Sequence, residues 1–127
     1  MLTGMVHDVL VVEDEEDIAL PLMRTLEREG YDVSRVSGGA EAVAFVVEDS
    51  PAVVILDLGL PDGHGLDLLP ELTDEDGRTI PVVIYSAQDM DRQAAPAVQA
   101  VLTKSRMSLA QLASTVRRLT RRAGGRS

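Results

Sequence analysis

Several short apolar runs in this chain stop abruptly on residues that can do chemistry. "DVLVV" (8–12) runs into Glu13 and Asp14, "AVVIL" (52–56) into Asp57, "PVVIY" (81–85) into Ser86, and "VQAVLT" (98–103) into Lys104, the single lysine of the chain. If the ends of these runs share one rim, three carboxylates meet there. Two like charges about 4 Å apart cost on the order of 4 kcal/mol at an effective dielectric of 20, so such a group either raises a pKa or recruits a cation. Oxygen-only donors with open positions favour Mg²⁺ or Mn²⁺ over zinc. A lysine at the same rim can pair with Asp57 at rest and with phosphoryl oxygens during a reaction, and the Ser86 hydroxyl can hold one more such oxygen. The neighbouring Glu15, Glu16 and Asp17 read as an acidic helix start that favours the helix dipole and nothing more. His7 and His64 read as solvent-facing bystanders.

The elements that must position these groups follow from periodicity. Five β-branched runs, at 8–12, 31–36, 52–56, 81–85 and 98–103, are bounded by acids, glycine or proline and read as strands. Between them, Ile18, Leu22 and Leu26; Ala40, Val43 and Val47; Leu66, Leu69 and Leu72; and Leu109, Leu112, Val116 and Leu119 fall at helical spacing. Strand alternating with helix implies parallel βαβ units. The strands are continuously apolar, which fits a sheet covered on both faces. The expected class is α/β, a three-layer, doubly wound, parallel five-stranded sheet. In an order 2-1-3-4-5, strands one and three are adjacent, about 4.8 Å apart, and ligands of such sheets sit at the carboxyl ends of the strands. Asp14, with Asp17 three residues on, is expected to cap the first helix, Ser37 the second, and Gly30 to end the first. Pro21 and Pro70 fall inside the first and third helical patterns and predict a kink or a late start. Gly77 among acids reads as an exposed turn.

At 127 residues and 45% hydrophobic content, the chain fits one domain with a real core. It has no cysteine, so disulfides and thiolate metal sites are excluded. No apolar run approaches the roughly 20 residues needed to span a bilayer, and the expectation is a cytoplasmic protein without membrane contact. The formal charge is −9, but five of the twelve basic residues lie in the last eleven positions, leaving 7 − 21 = −14 on residues 1–116. That surface repels nucleic acid, so no direct nucleic-acid binding is expected of this domain. The arginine-rich end reads as a solvated helix face or the start of a linker. No G-x-G-x-x-G opens the first helix, which disfavours dinucleotide binding.

"VLVVEDEED", "VVILDLGLPDGHGLDLL", "PVVIYSA" and "VLTKS", in this order and spacing, resemble the receiver (response-regulator) domain of two-component signalling. The resemblance covers about residues 6–121, leaving 1–5 as an N-terminal extension and 122–127 as a tail or linker. It implies a flavodoxin-like fold with strand order 2-1-3-4-5. Asp57 would be the phosphoacceptor, Glu13 and Asp14 the acidic metal pocket for Mg²⁺ or Mn²⁺, and Gly59 a ligand through its backbone carbonyl. Ser86 would be the switch hydroxyl and Lys104 the phosphoryl-binding lysine; Pro61 and Gly65 match the family's turn positions. The implied partner is a histidine kinase or phosphotransfer protein whose phosphohistidine supplies the phosphoryl group. The module would not be a multiple-turnover enzyme, taking up and slowly hydrolysing one phosphoryl group, and a homodimer is compatible with it.

Two positions and one spacing depart from the family pattern. Val101 stands where an aromatic residue is usual, with Tyr85 as a substitute or, more simply, a packed strand residue. Ser105 replaces the usual proline after the lysine, and a trans bond is expected there because a cis bond without proline costs about 3 kcal/mol. Only 104 − 86 = 18 positions separate Ser86 from Lys104, and with Pro96 among them they predict a shortened fourth helix. The alternative function is a receiver-like interaction domain that is not phosphorylated. A phosphohydrolase of the haloacid-dehalogenase type is disfavoured, since its Asp-x-Asp pattern would need an acid where Gly59 stands.

Overall fold

The computed structural model describes residues 8–61, 63–74, 76–86, 100–103 and 108–124. Five parallel strands, β1 (Asp8–Val12), β2 (Asp32–Val36), β3 (Val53–Leu56), β6 (Val82–Ser86) and β7 (Ala100–Thr103), form one sheet in the order β2-β1-β3-β6-β7. Counted as the five strands read from the sequence, this is 2-1-3-4-5. A two-stranded hairpin that the strand pattern did not signal, β4 (Gly59–Leu60) with β5 (Gly63–His64), is inserted just past β3.

The continuous apolar strands serve two cores, because successive side chains point to opposite faces of a sheet. Val9, Val11, Val53, Ile55, Val83 and Tyr85 face one side and pack with Leu22 and Leu26 of α1 (Glu16–Arg28) and Leu112, Val116 and Leu119 of α3 (Leu109–Gly124). Leu10, Val12, Val54, Leu56, Val82 and Ile84 face the other and pack with Ala42 and Val46 of α2 (Gly39–Glu48) and with Leu72 and Ile80. Tyr85 is thus a packed strand residue. Tyr31 and Thr120 share a 2.8 Å hydroxyl hydrogen bond, and Glu29 pairs with Arg117; together they tie the end of α1 to α3.

Helix ends follow simple chemistry, though not always the expected residues. Gly30, at φ +99, ends α1: its N–H bonds the Glu27 carbonyl at 3.0 Å and the Tyr31 N–H bonds that of Leu26 at 3.2 Å, a Schellman motif. The N-cap of α1 is Glu15 rather than Asp14 and makes no side-chain cap bond; Asp14 is drawn off to the rim described below. Pro21 neither delays nor divides α1, since the helix begins five residues before it. The N-cap of α2 is Gly38 rather than Ser37, whose own N–H is instead accepted by Glu41 Oε1 at 2.8 Å. Ser108 and Gln111 form a capping box that the sequence reading missed, with Gln111 N–H on Ser108 Oγ at 3.1 Å and Ser108 N–H on Gln111 Oε1 at 2.8 Å.

The third helical pattern is corrected. Gly65–Glu71 forms a 3₁₀ helix, with Pro70 inside it; proline cannot donate to the preceding turn, and a short tight helix suits a segment that must start on a glycine against the sheet end. Gly77, at φ +80, sits in the expected turn, closed by the Asp74 carboxylate accepting from Asp76 and Arg78 N–H groups at 2.9 Å each. The shortened fourth helix, Lys104, Ser105, His7 and the extension 1–5 lie outside the described residues. So do residues 125–127 of the expected tail, while α3 runs on to Gly124.

Candidate functional site: a carboxylate cluster at the strand tips

Parallel pairing brings the acids together. Val12 is in register with Leu56, so Glu13 and Asp57 leave adjacent strands at the same level, and the Asp57 N–H donates to the Val12 carbonyl at 3.1 Å. Glu13, Asp14 and Asp57 each present a carboxylate oxygen, and these oxygens lie within 4.8 Å of one another. Glu13 is buried, Asp57 partly buried and Asp14 exposed. One Glu13 oxygen, Oε2, accepts the Glu15 N–H at 3.2 Å, so this carboxylate is oriented as well as enclosed. Glu15, Glu16 and Asp17 are all exposed, as an acidic helix start should be.

The backbone beneath the two adjacent acids is clamped by a residue the sequence reading passed over. Arg35, one position before the end of β2, donates from Nε to the Glu13 carbonyl at 2.9 Å and from a terminal nitrogen to the Asp14 carbonyl at 3.0 Å. A forked guanidinium suits two successive carbonyls in a way an ammonium does not. The clue was an arginine near the carboxyl end of a strand, opposite Val11 in register and so within one side chain of the rim.

The loop after Asp57 doubles back on itself. The Gly65 N–H donates to the Leu58 carbonyl at 2.8 Å, and a Cβ on Gly65 would stand 2.5 Å from the Asp57 carbonyl oxygen and 3.1 Å from Leu58 Cα. Only glycine permits that approach. This accounts for a glycine-rich turn beside a strand-end acid: the turn lies against the backbone of Asp57 and leaves its side chain at the rim. Gly59 is exposed and opens the hairpin opposite His64.

Ser86 closes β6 and is in register with Thr103, the residue before Lys104. The structure therefore gathers Glu13, Asp14 and Asp57 and sets the backbone of Ser86 at the carboxyl end of the same sheet, while Lys104 is outside the described residues. The acidic trio suits a hard divalent cation: all donors are carboxylate oxygens, one is fixed by a hydrogen bond, and a cation between them would offset their like charge.

A five-stranded parallel sheet in this order, with a carboxylate at the tip of the third strand and two more at the first, defines a doubly wound α/β fold of the flavodoxin-like kind with an acidic pocket at its carboxyl end. The family model for the response regulator receiver domain matches residues 9–112, and the chain belongs to that family. It is 45% identical over 80 residues to the transcriptional regulatory protein KdpE of Mycobacterium tuberculosis and 41% identical over 81 residues to the uncharacterized transcriptional regulatory protein YkoG of Bacillus subtilis. Those matches cover 63% and 64% of this chain but only 34% and 35% of the relatives, so the chain spans about a third of their length. Among solved structures it resembles the Francisella response regulator 1452 receiver domain, with TM-score 0.80 and 27% identity over 92% of this chain and 98% of that one. A CheY-like receiver domain from Methylobacillus flagellatus gives TM-score 0.78 and 26% identity over 90% and 98%. Receiver domains act as signalling modules rather than as ordinary enzymes, and they bind Mg²⁺ in an acidic pocket. No helix among the described residues is long and apolar enough to cross a membrane.

Proposed function

We propose that this chain accepts a phosphoryl group on Asp57 from the phosphohistidine of a histidine kinase or phosphotransfer protein. The observation that carries this reading is the convergence of Glu13, Asp14 and Asp57 within 4.8 Å at the sheet's carboxyl end, where the fold places its ligands. An Asp57 carboxylate oxygen attacks phosphorus, the P–N bond of the donor breaks, and the imidazole leaves with the bonding pair. Bound Mg²⁺ or Mn²⁺ supplies charge neutralisation for the phosphoryl oxygens. Glu13, Asp14, Asp57 and, from the family resemblance, the Gly59 carbonyl would hold it. Arg35 keeps the first two acids in place, and Gly65 lets the loop seat against Asp57. Lys104 would pair with phosphoryl oxygens, and Ser86 would hydrogen-bond one of them once Asp57 is modified; the registry of Thr103 with Ser86 supports a shared rim.

The acyl phosphate adds roughly −1.5 to −2 charges, drawing Ser86 and its loop inward and biasing a two-state surface. With Val101 in place of an aromatic ring and Tyr85 packed in the core, the output passes by a route other than ring rotation. The acidic domain acts in the cytoplasm without touching nucleic acid, and any DNA contact of the whole protein belongs to other segments. Acetyl phosphate with Mg²⁺ is expected to add the mass of one phosphoryl group to the intact chain, and Asp57→Asn to abolish the addition. A chain that takes up neither phosphoryl nor beryllofluoride in the presence of Mg²⁺ would instead be an unphosphorylated interaction domain.

A further inference from the structure

A concavity whose lining contains none of the three clustered carboxylates lies between α2, the β4–β5 hairpin and the 3₁₀ helix. It has a volume of about 400 Å³ and is lined by Ala40, Val43, Leu60, Asp67, Leu68 and Glu71. It exists because Gly65–Glu71 is a short 3₁₀ turn, which covers less of α2 than a full α-helix would. Its apolar floor continues along α2: Ala40, Val43 or Ala44, and Val47 follow the i, i+3/4, i+7 spacing of one helix stripe. Val47, at the far end, is 80% exposed, the most exposed large apolar residue among those described. A lone exposed valine means little; one that prolongs an apolar cleft forms a groove.

The charge around this groove is one-sided. The charged residues that line it, Asp67 and Glu71, are both acids, and no lysine or arginine among the described residues lines it. Asp67 and Glu71 are exposed on the wall facing α2. We propose that the cleft and the α2 stripe dock a cationic amphipathic helix of a partner protein, its apolar residues at i, i+3/4 and i+7 lying on Val43, Val47 and Leu68 and its lysines or arginines reaching Asp67 and Glu71. The same charge turns away an acidic segment, an anionic lipid surface and a second copy presenting this face.

The test uses the full chain, isotope-labelled, titrated at physiological ionic strength with a synthetic leucine–lysine peptide of amphipathic helical spacing, its leucine–glutamate counterpart, and a leucine–lysine peptide with scrambled spacing. Amide shifts are expected at Val43, Ala44, Val47 and Leu68 with the first peptide only. Val47→Glu adds a negative charge at an exposed position, so attraction by charge alone would leave binding unchanged or tighter. Docking in the groove instead weakens it by about fivefold, the loss of one buried valine. Asp67→Asn with Glu71→Gln is expected to weaken it as well, with melting temperatures confirming that each variant is folded. Shifts centred on the strand-tip carboxylates, equal binding of the scrambled peptide, unchanged affinity of Val47→Glu, or self-association through these residues without peptide would overturn the proposal.

Discussion

Gly65 shows how closely single residues are constrained at the strand tips. Its amide is bonded to the Leu58 carbonyl, and the space a side chain would need is filled by the Asp57 carbonyl oxygen 2.5 Å away. Overpacking against rigid backbone costs about 1 to 3 kcal/mol, so Gly65→Ala is expected to lower the unfolding free energy measured in urea by that amount. Because the clash falls on Asp57 itself, phosphoryl uptake from acetyl phosphate is expected to slow as well. Gly59→Ala is the control: its Cβ would meet nothing within 4 Å, and stability should change by less than about 1 kcal/mol.

At the scale of elements, the apolar face holds each helix in place and, among the described residues, a side-chain cap adds to it only at α3. In α3, the Ser108–Gln111 box fixes the first turn, and the Leu112, Val116 and Leu119 stripe fixes the rest against α1 and the sheet. Removing the cap leaves that apolar face intact. Ser108→Ala is therefore expected to destabilise by about 1 kcal/mol without changing the folded structure, as measured by chemical denaturation with an unchanged m-value. The 3₁₀ helix illustrates the opposite case: its leucines carry helical spacing, but Pro70 and the close seating of Gly65 keep the segment from becoming a full α-helix.

Across the whole molecule, a parallel sheet collects acids at both ends. The carboxyl end carries the trio Glu13, Asp14 and Asp57. At the amino end Asp8 and Asp32 are paired in register, and Asp49 lies nearby after α2. Partial burial, then the carboxylates of Asp49 and Asp32, hold the Asp8 carboxyl above its ordinary value of 3.8. A carboxyl raised in the folded state favours folding while protonated, so its contribution is complete below 3.8 and is lost as pH rises through the folded value. Asp8→Asn is accordingly expected to melt above the native chain at pH 7, with the difference vanishing as pH is lowered past 3.8 in a thermal series.

The alternation of β-branched runs with helical stripes determined the α/β class, because each pattern has its own period and a covered parallel sheet demands apolar residues on both faces. That Glu13, Asp14 and Asp57 would share a rim was legible as well, because each directly follows an apolar strand of the same parallel sheet. Other features depended on distant contacts. Arg35 became a clamp only when β2 paired with β1, Ser37 lost its expected capping role to Gly38, and the third helical stripe became a 3₁₀ turn. Local spacing records which side chains share a face of their own element. Which carbonyl an arginine reaches, which glycine must yield to a passing backbone, and how much of α2 its neighbour leaves uncovered are set by the packing of separate elements, and that the tertiary structure alone decided.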